Sequence, residues 1–206
     1  MPSTVVHVGL AGMMGAVLLG DRFDTRAILF VMAATAAIDL DTLIGMYWTG
    51  THRAALHNVF VVLVPAIVLF WDVRLREESY VLDRWGSYGY RVAWVTLVTV
   101  LFAHILLDAF YNGVNLFWPV QDQFYDLSGY LLISNQEGLV QTFTESSTRG
   151  TTEDTHYWTG FDPGPDAPPD AERQFYLAER GELFVVAVAG YLSIGYRIWE
   201  DRRNGD

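Results

Sequence analysis

The chain has 206 residues, of which 51% are hydrophobic, and its formal net charge is −11. A chain this apolar can bury a core, which excludes an intrinsically disordered acidic protein. It has no cysteine, which excludes a disulfide framework, a zinc–thiolate finger and a cysteine nucleophile. All 13 basic residues are arginine and 24 residues are acidic, so we expect no nucleic-acid partner. Because carboxylates stay hydrated in concentrated salt, the lysine-free acidic composition favours a halophilic protein.

Five long apolar stretches of about 16 to 23 residues occur along the chain, at 5–20, 27–48, 54–71, 92–111 and 183–199. A helix needs about 20 predominantly apolar residues to cross the hydrocarbon core of a bilayer. These stretches carry almost no charge on any helical face, unlike the amphipathic helices of soluble proteins. We therefore predict an all-α polytopic membrane protein of about five transmembrane helices. The first stretch could instead be a signal peptide, but the positively charged opening of such a peptide is missing.

The arginines between the apolar stretches predict the orientation of the chain. Nine arginines lie in the first and third connections and in the carboxyl-terminal tail, whereas the short connection on the opposite side has only Arg53. Basic residues accumulate on the cytoplasmic side of membrane proteins. We expect a multi-pass protein of the cell membrane with its amino terminus outside and its carboxyl terminus in the cytoplasm.

A polar segment of 71 residues, 112–182, separates the fourth and fifth apolar stretches and should lie outside the cell. Residues 129–143 predict a β-hairpin around an Asn-Gln-Glu-Gly turn. The Pro-, Gly- and Asp-rich residues 160–172 predict an irregular loop, and His156 is interpreted as a surface residue. The predicted domains are a four-helix membrane core at 1–119, an acidic outer region at 120–182, and a fifth helix with its tail at 183–206.

Ionisable residues interrupt the apolar stretches. Each one costs at least about 2.5–3.5 kcal/mol in a spanning helix, so it needs a compensating partner. Successive spanning helices run in opposite directions, which brings the start of the first, the end of the second, the start of the third and the end of the fourth to one side. The residues concerned are His7, Asp39, Asp41, His57, His104 and Asp108, with His52 just before the third stretch. We therefore predict that they gather in one layer.

A shared divalent cation would relieve the repulsion among such carboxylates. His104 and Asp108 are four residues apart, which places them on one helical face. Imidazole and carboxylate ligands without sulfur suit Zn²⁺, which we expect first, and also Mn²⁺ or Fe²⁺. One metal with supporting carboxylates and two metals both stay open. The predicted metal ligands are His7, Asp39, His52, His57, His104 and Asp108.

The motifs IDLDTL at 38–43, HRAALHN at 52–58 and HILLDAFYNGVNLFWP at 104–119, after the early His7, resemble the YdjM-type family of membrane-bound, predicted metal-dependent hydrolases. The resemblance covers roughly residues 5–119. It differs at Thr42, where the family often has histidine, and at Ala54, where it has glycine. The resemblance implies one functional set: His7, Asp39, Asp41, His52, Arg53, His57, His104 and Asp108.

These observations favour a membrane-embedded hydrolase that acts on an ester or phosphoester bond, with a lipid as the expected substrate and the bilayer as its partner. Asp41 is a candidate general base, and Arg53 at the rim would bind a phosphate. A transporter or ion-conducting protein is the main alternative, but its polar residues should reach both faces of the membrane. A membrane-anchored interaction protein, acting through the acidic loop, is a third reading. The oligomeric state stays open.

Overall fold

A computed structural model describes residues 2–143, 147–161, 167–168 and 170–204. Within them the chain is mostly helical, with a few short strands. The helices are α1 (Thr4–Leu19), α2 (Thr25–Ala36), α3 (Asp41–Gly45), α4 (Phe60–Arg74), α5 (Tyr80–Val100), α6 (Leu106–Tyr111) and α7 (Gly181–Asn204). The strands are β1 (Tyr125–Asp126), β2 (Leu131–Ser134), β3 (Gly138–Gln141) and β4 (Ser147–Thr148).

The chain forms two compact units. The helical unit comprises Pro2–Ile38, Phe60–His104 and the chain from Leu177 onward, and the mixed unit comprises Asp39–Val59 and Ile105–Tyr176. The mixed unit holds α3, α6 and all four strands. The domain boundaries expected at 119 and 182 stay predictions from the sequence.

Side-chain caps mark where the long helices begin. Ser3 accepts a hydrogen bond from the backbone N–H of Val6 at the start of α1, and the Asp24 carboxylate accepts from two backbone N–H groups at the start of α2. Ser79 caps α5 in the same way. These oxygens satisfy backbone donors that have no partner within the helix, and so they fix the first turn of each helix.

Four helical segments of the described chain are long and apolar enough to cross a membrane: Thr4–Arg22, Thr25–Gly45, Tyr80–Tyr111 and Gly181–Arg203. They confirm the predicted helical membrane fold. The apolar stretch at 54–71 is helical only from Phe60, and α4 has 15 residues, a length of about 22 Å. Residues 54–59, the first part of this apolar stretch, instead belong to the loop that carries His57.

Glycines allow α1 and α7 to approach closely in the helical unit. A Cβ atom added to Gly190 of α7 would lie 2.2 Å from the carbonyl oxygen of Gly9 in α1. Membrane helices gain little from the hydrophobic effect when they associate, so close van der Waals packing over small residues stabilises their contact. Gly9 follows His7 by two residues, and the same contact therefore fixes the part of α1 that carries His7.

Short antiparallel pairs form the strands of the mixed unit. β2 and β3 pair in the register Leu131↔Gln141 to Ser134↔Gly138, which confirms the predicted hairpin. β1 pairs with β4. The predicted irregular loop at 160–172 lies partly outside the described residues, because 162–166 and 169 are not described.

We expect Gly190→Ala to lower the free energy of unfolding by about 1–3 kcal/mol, the usual cost of overpacking a close contact. The added methyl group would collide with the backbone of α1. Thermal unfolding in mild detergent measures the change. Gly195→Ala on the same helix is the matched control, because its added Cβ meets no atom within 4 Å. Equal stability of the two variants would contradict the close α1–α7 contact.

The predicted orientation can be tested directly, because the chain has no native cysteine. We expect Gln136→Cys, in the turn of the β2–β3 hairpin, to react with a membrane-impermeant maleimide in intact cells. Glu78→Cys, between α4 and α5, should react only after permeabilisation. Both positions are exposed to solvent. The reverse labelling pattern would mean that the amino terminus lies in the cytoplasm.

Candidate functional site

The first residue of α3, Asp41, is a fully buried carboxylate in the mixed unit. Its Oδ2 atom accepts hydrogen bonds from the backbone N–H groups of Arg53 and Leu56, at 3.1 and 3.3 Å, and from Nδ1 of His57 at 2.7 Å. No described residue donates a hydrogen bond to its Oδ1 atom, which is also buried. Asp41 therefore holds the loop at 46–59 in place through Oδ2, while its Oδ1 accepts no hydrogen bond from a described residue.

His57 is completely buried, and Asp41 sets the orientation of its ring. With Nδ1 bonded to Asp41, Nε2 faces Oδ1 of Asp39 at 3.7 Å and Oδ2 of Asp108 at 3.4 Å. A histidine that binds a metal through one ring nitrogen typically donates its other N–H to a carboxylate. This is the arrangement expected of a metal ligand.

The two histidines of the loop have opposite electrostatic environments. Burial lowers the pKa of His57, but the charge of Asp41 and hydrogen bonds to Asp108 and Asp41 outweigh it and raise this pKa to about 10. Burial lowers the pKa of His52, and the nearby charge of Asp41 opposes this shift only in part. The two carboxylates thus favour the protonated ring of His57, and a metal ion bound at Nε2 would replace the proton there.

Arg53 balances the charge of Asp108. Its Nη2 lies 2.8 Å from Oδ2 of Asp108, and its Nη1 donates to the carbonyl oxygen of Gly113 at 3.4 Å. The side chain is only 1% exposed, so Arg53 does not lie at a rim as the sequence predicted. The reason is this ion pair, which draws the guanidinium inward to a buried carboxylate.

The backbone of Arg53 has a φ of 63°, in the left-handed region that residues with a side chain rarely adopt. Its N–H donates to Asp41, and its carbonyl oxygen accepts from the N–H of Asn115 at 2.9 Å. These bonds hold the unusual conformation. The Gly-bearing turn after α6 is therefore a structural partner of the loop.

Sequence reasoning missed Tyr157. Its ring lies under the Arg53 guanidinium, with 4.9 Å from Cζ to the ring centroid, and its carbonyl oxygen lies 3.0 Å from Nδ1 of His52. The Tyr157 hydroxyl donates to the carbonyl oxygen of Asn112. The only signal in the sequence was an aromatic pair at 157–158 within a polar segment, a pattern that is also common on surfaces.

In the helical unit, His7 and His104 stack with ring centroids 3.8 Å apart and an angle of 12° between the ring planes. Nδ1 of His7 lies 2.8 Å from the carbonyl oxygen of Ala103; if it donates there, the lone pair of the ring is on Nε2. His104 lies in a π-helical turn, Leu101–Ile105, a distortion that often occurs at functional sites. The structure thus brings these two predicted residues together from α1 and from the turn after α5.

The described residues include histidine and aspartate groups that could hold a metal ion. The residues concerned are Asp39, His57 and Asp108 in the mixed unit and His7 and His104 in the helical unit. His52 is in no such group among the described residues. Assignment of the individual residues as ligands stays a prediction.

Comparison with known proteins supports the resemblance found in the motifs. A family model described as "YdjM inner membrane protein" matches residues 1–200. No curated protein and no solved structure matches the chain.

We expect Arg53→Met to lower the free energy of unfolding by about 3–5 kcal/mol, because it leaves the buried Asp108 carboxylate without its partner. Chemical unfolding in mild detergent measures the loss. In the control Arg180→Met, the partner Glu182 is 3.6 Å away and both side chains are more than half exposed, so about 1 kcal/mol or less should be lost. Equal losses in the two variants would contradict a buried Arg53–Asp108 pair.

Proposed function

Because the chain belongs to the YdjM inner membrane protein family, we propose that it is a membrane-embedded, metal-dependent hydrolase of an ester or phosphoester, with a lipid as the expected substrate. One observation carries the proposal: His57 bonds to Asp41 through Nδ1 while its Nε2 faces the carboxylates of Asp39 and Asp108. Nε2 is thus the ring nitrogen that faces two carboxylates, and a metal ion bound there would take the place of the second ring proton.

The donor set fits a divalent ion. Imidazole nitrogen and carboxylate oxygen without sulfur suit Zn²⁺, Mn²⁺ and Fe²⁺. The buried Oδ1 of Asp41, which no described residue hydrogen-bonds, adds unused acceptor capacity beside His57. Asp39, His57 and Asp108 would hold the ion, and the stacked His7 and His104 stay predicted as further ligands. When bound, such an ion acts as a Lewis acid and lowers the pKa of a coordinated water to about 7.

The residues around these ligands have separate tasks. Asp41 orients His57 and holds the loop through two backbone N–H groups, which makes it a positioning residue. Arg53 fixes Oδ2 of Asp108 and offsets its charge. The Asp39 side chain is one quarter exposed, whereas those of His57 and Asp108 are buried. Asp39 thus lies where solvent can reach the group.

The buried position of Arg53 removes the reason for preferring a phosphoester substrate over a carboxylic ester. A phosphoester was favoured because an arginine at the rim would bind phosphate, but both terminal nitrogens of Arg53 are already engaged with Asp108 and Gly113. The choice between a carboxylic ester and a phosphoester therefore depends on a substrate screen. A lipid remains the expected substrate class, because the protein lies in the membrane.

We expect the purified protein to contain a divalent metal that His57→Ala and Asp108→Asn remove, and Asp41→Asn should weaken metal binding about 10–100-fold by releasing the His57 ring. Elemental analysis and metal titration after chelation measure these effects. Hydrolysis of ester and phosphoester lipid analogues should fall in parallel.

Glu137→Gln is the matched control, since it makes the same carboxylate-to-amide change at an exposed site on the β2–β3 hairpin. It should leave metal content and hydrolysis unchanged. Full metal content in His57→Ala and Asp108→Asn would overturn the assignment. Metal-dependent ion flux in proteoliposomes without hydrolysis would instead favour a transporter.

A further inference from the structure

A second feature of the mixed unit is a cavity that Tyr157 helps to line. This cavity of about 580 Å³ is wide open to solvent and is lined by side chains from the end of α6 and from the segment after β4. Its volume falls within the range of about 300–1,000 Å³ typical of small-molecule sites. The lining residues are Asn112, Arg149, Asp154, Thr155, His156, Tyr157 and Trp158.

We propose that this cavity binds a sugar, the glycosyl group of a glycosylated molecule. The binding itself is independent of the hydrolase proposal. Only the further step, that the sugar belongs to the substrate, rests on that proposal. The charge, the hydrogen-bonding groups and the exposed aromatic surface of the cavity support sugar binding.

The charge of the lining excludes the main ionic ligands. The lining carries one basic and one acidic side chain, Arg149 and Asp154. Arg149 is also paired with the buried Asp126. An anion would face the Asp154 carboxylate, and a cationic headgroup would face the Arg149 guanidinium. A neutral ligand meets neither penalty.

The polar side chains suit hydroxyl groups, which both donate and accept hydrogen bonds. The Asn112 amide offers donors and an acceptor, and it has no side-chain hydrogen bond among the described residues. The Thr155 hydroxyl donates to the carbonyl oxygen of Arg149 and keeps its acceptor lone pairs. Asp154 accepts from the Thr151 hydroxyl through Oδ2 only, and its other oxygen can accept from a ligand. A polyol would match this mixture of donors and acceptors.

Trp158 supplies the apolar surface that a sugar requires. Its side chain is 72% exposed, although an indole is normally well buried. The face of an aromatic ring is electron-rich and attracts polarised C–H groups, and a sugar ring presents C–H groups on one face and hydroxyl groups at its edge. Trp158 beside Asn112, Thr155 and Asp154 offers both kinds of contact in one cavity.

Tyr157 connects this cavity with the candidate metal ligands. Its ring lies on Arg53, whose guanidinium pairs with Asp108, and its carbonyl oxygen lies at hydrogen-bonding distance from His52. A sugar in the cavity would therefore contact a residue that also contacts this buried network. If the protein is a hydrolase, its substrate carries a glycosyl group close to the bond that is cleaved, as a glycolipid does.

Saturation-transfer NMR on the full chain in lipid nanodiscs tests the binding. The probes are glucose, galactose, mannose, glucosamine and maltose, with inorganic phosphate and choline as charged competitors. We expect at least one saccharide to bind. Trp158→Ala should weaken that binding about tenfold, the upper end of what an aromatic contact contributes, and Trp158→Phe should retain most of it.

Trp48→Ala is the matched control, because Trp48 lies in the same unit, is 66% exposed and does not line the cavity. It should bind the saccharide as the wild type does. Binding of no saccharide, equal binding by Trp158→Ala and wild type, or binding of phosphate or choline alone would overturn the proposal.

The two proposals can fail separately. Saccharide binding with no bound metal would support the sugar site and contradict the metal-dependent hydrolase. Metal-dependent hydrolysis with no saccharide binding would support the hydrolase and contradict the sugar site. Metal content is therefore measured on the same nanodisc samples.

Discussion

The mixed unit depends on one buried carboxylate. A single oxygen of Asp41 accepts hydrogen bonds from the backbone of Arg53, from the backbone of Leu56 and from the ring of His57. Burying a carboxylate removes its hydration, and the three donors together compensate for that loss. The left-handed backbone at Arg53 and the direction of His57 Nε2 both follow from this interaction, as do the roles that we propose for them.

Charge balance explains how so many ionisable side chains can be buried in this unit. Asp108 is paired with Arg53, and His57 is held between Asp41 and Asp108 with a pKa raised to about 10. Arg53 is therefore committed to the interior. The cavity at Trp158, with one positive and one negative side chain, is where the described part of the mixed unit offers contacts to a neutral ligand.

Local sequence rules correctly predicted the helices and the hairpin that short-range interactions determine. The apolar runs became helices, because a helix satisfies its own backbone hydrogen bonds in a membrane, and the Asn-Gln-Glu-Gly turn with flanking β-forming residues became the β2–β3 hairpin. The same rules failed at 54–59, where an apolar composition suggested helix. There the backbone N–H of Leu56 bonds to Asp41 and the Asn58 side chain bonds to the carbonyl oxygens of Ala54 and Ala55, so these groups favour a loop.

The sequence by itself determined that this is a helical membrane protein, that it resembles the YdjM family and which polar residues deserve study, because composition, run length and motif spacing are properties of the chain. Only the tertiary structure decided that Arg53 is buried against Asp108, that Asp41 orients His57, and that Tyr157 both contacts Arg53 and lines a polar cavity. These contacts join residues 16 to 104 positions apart. Their energy comes from burial and partner geometry, which no local pattern encodes.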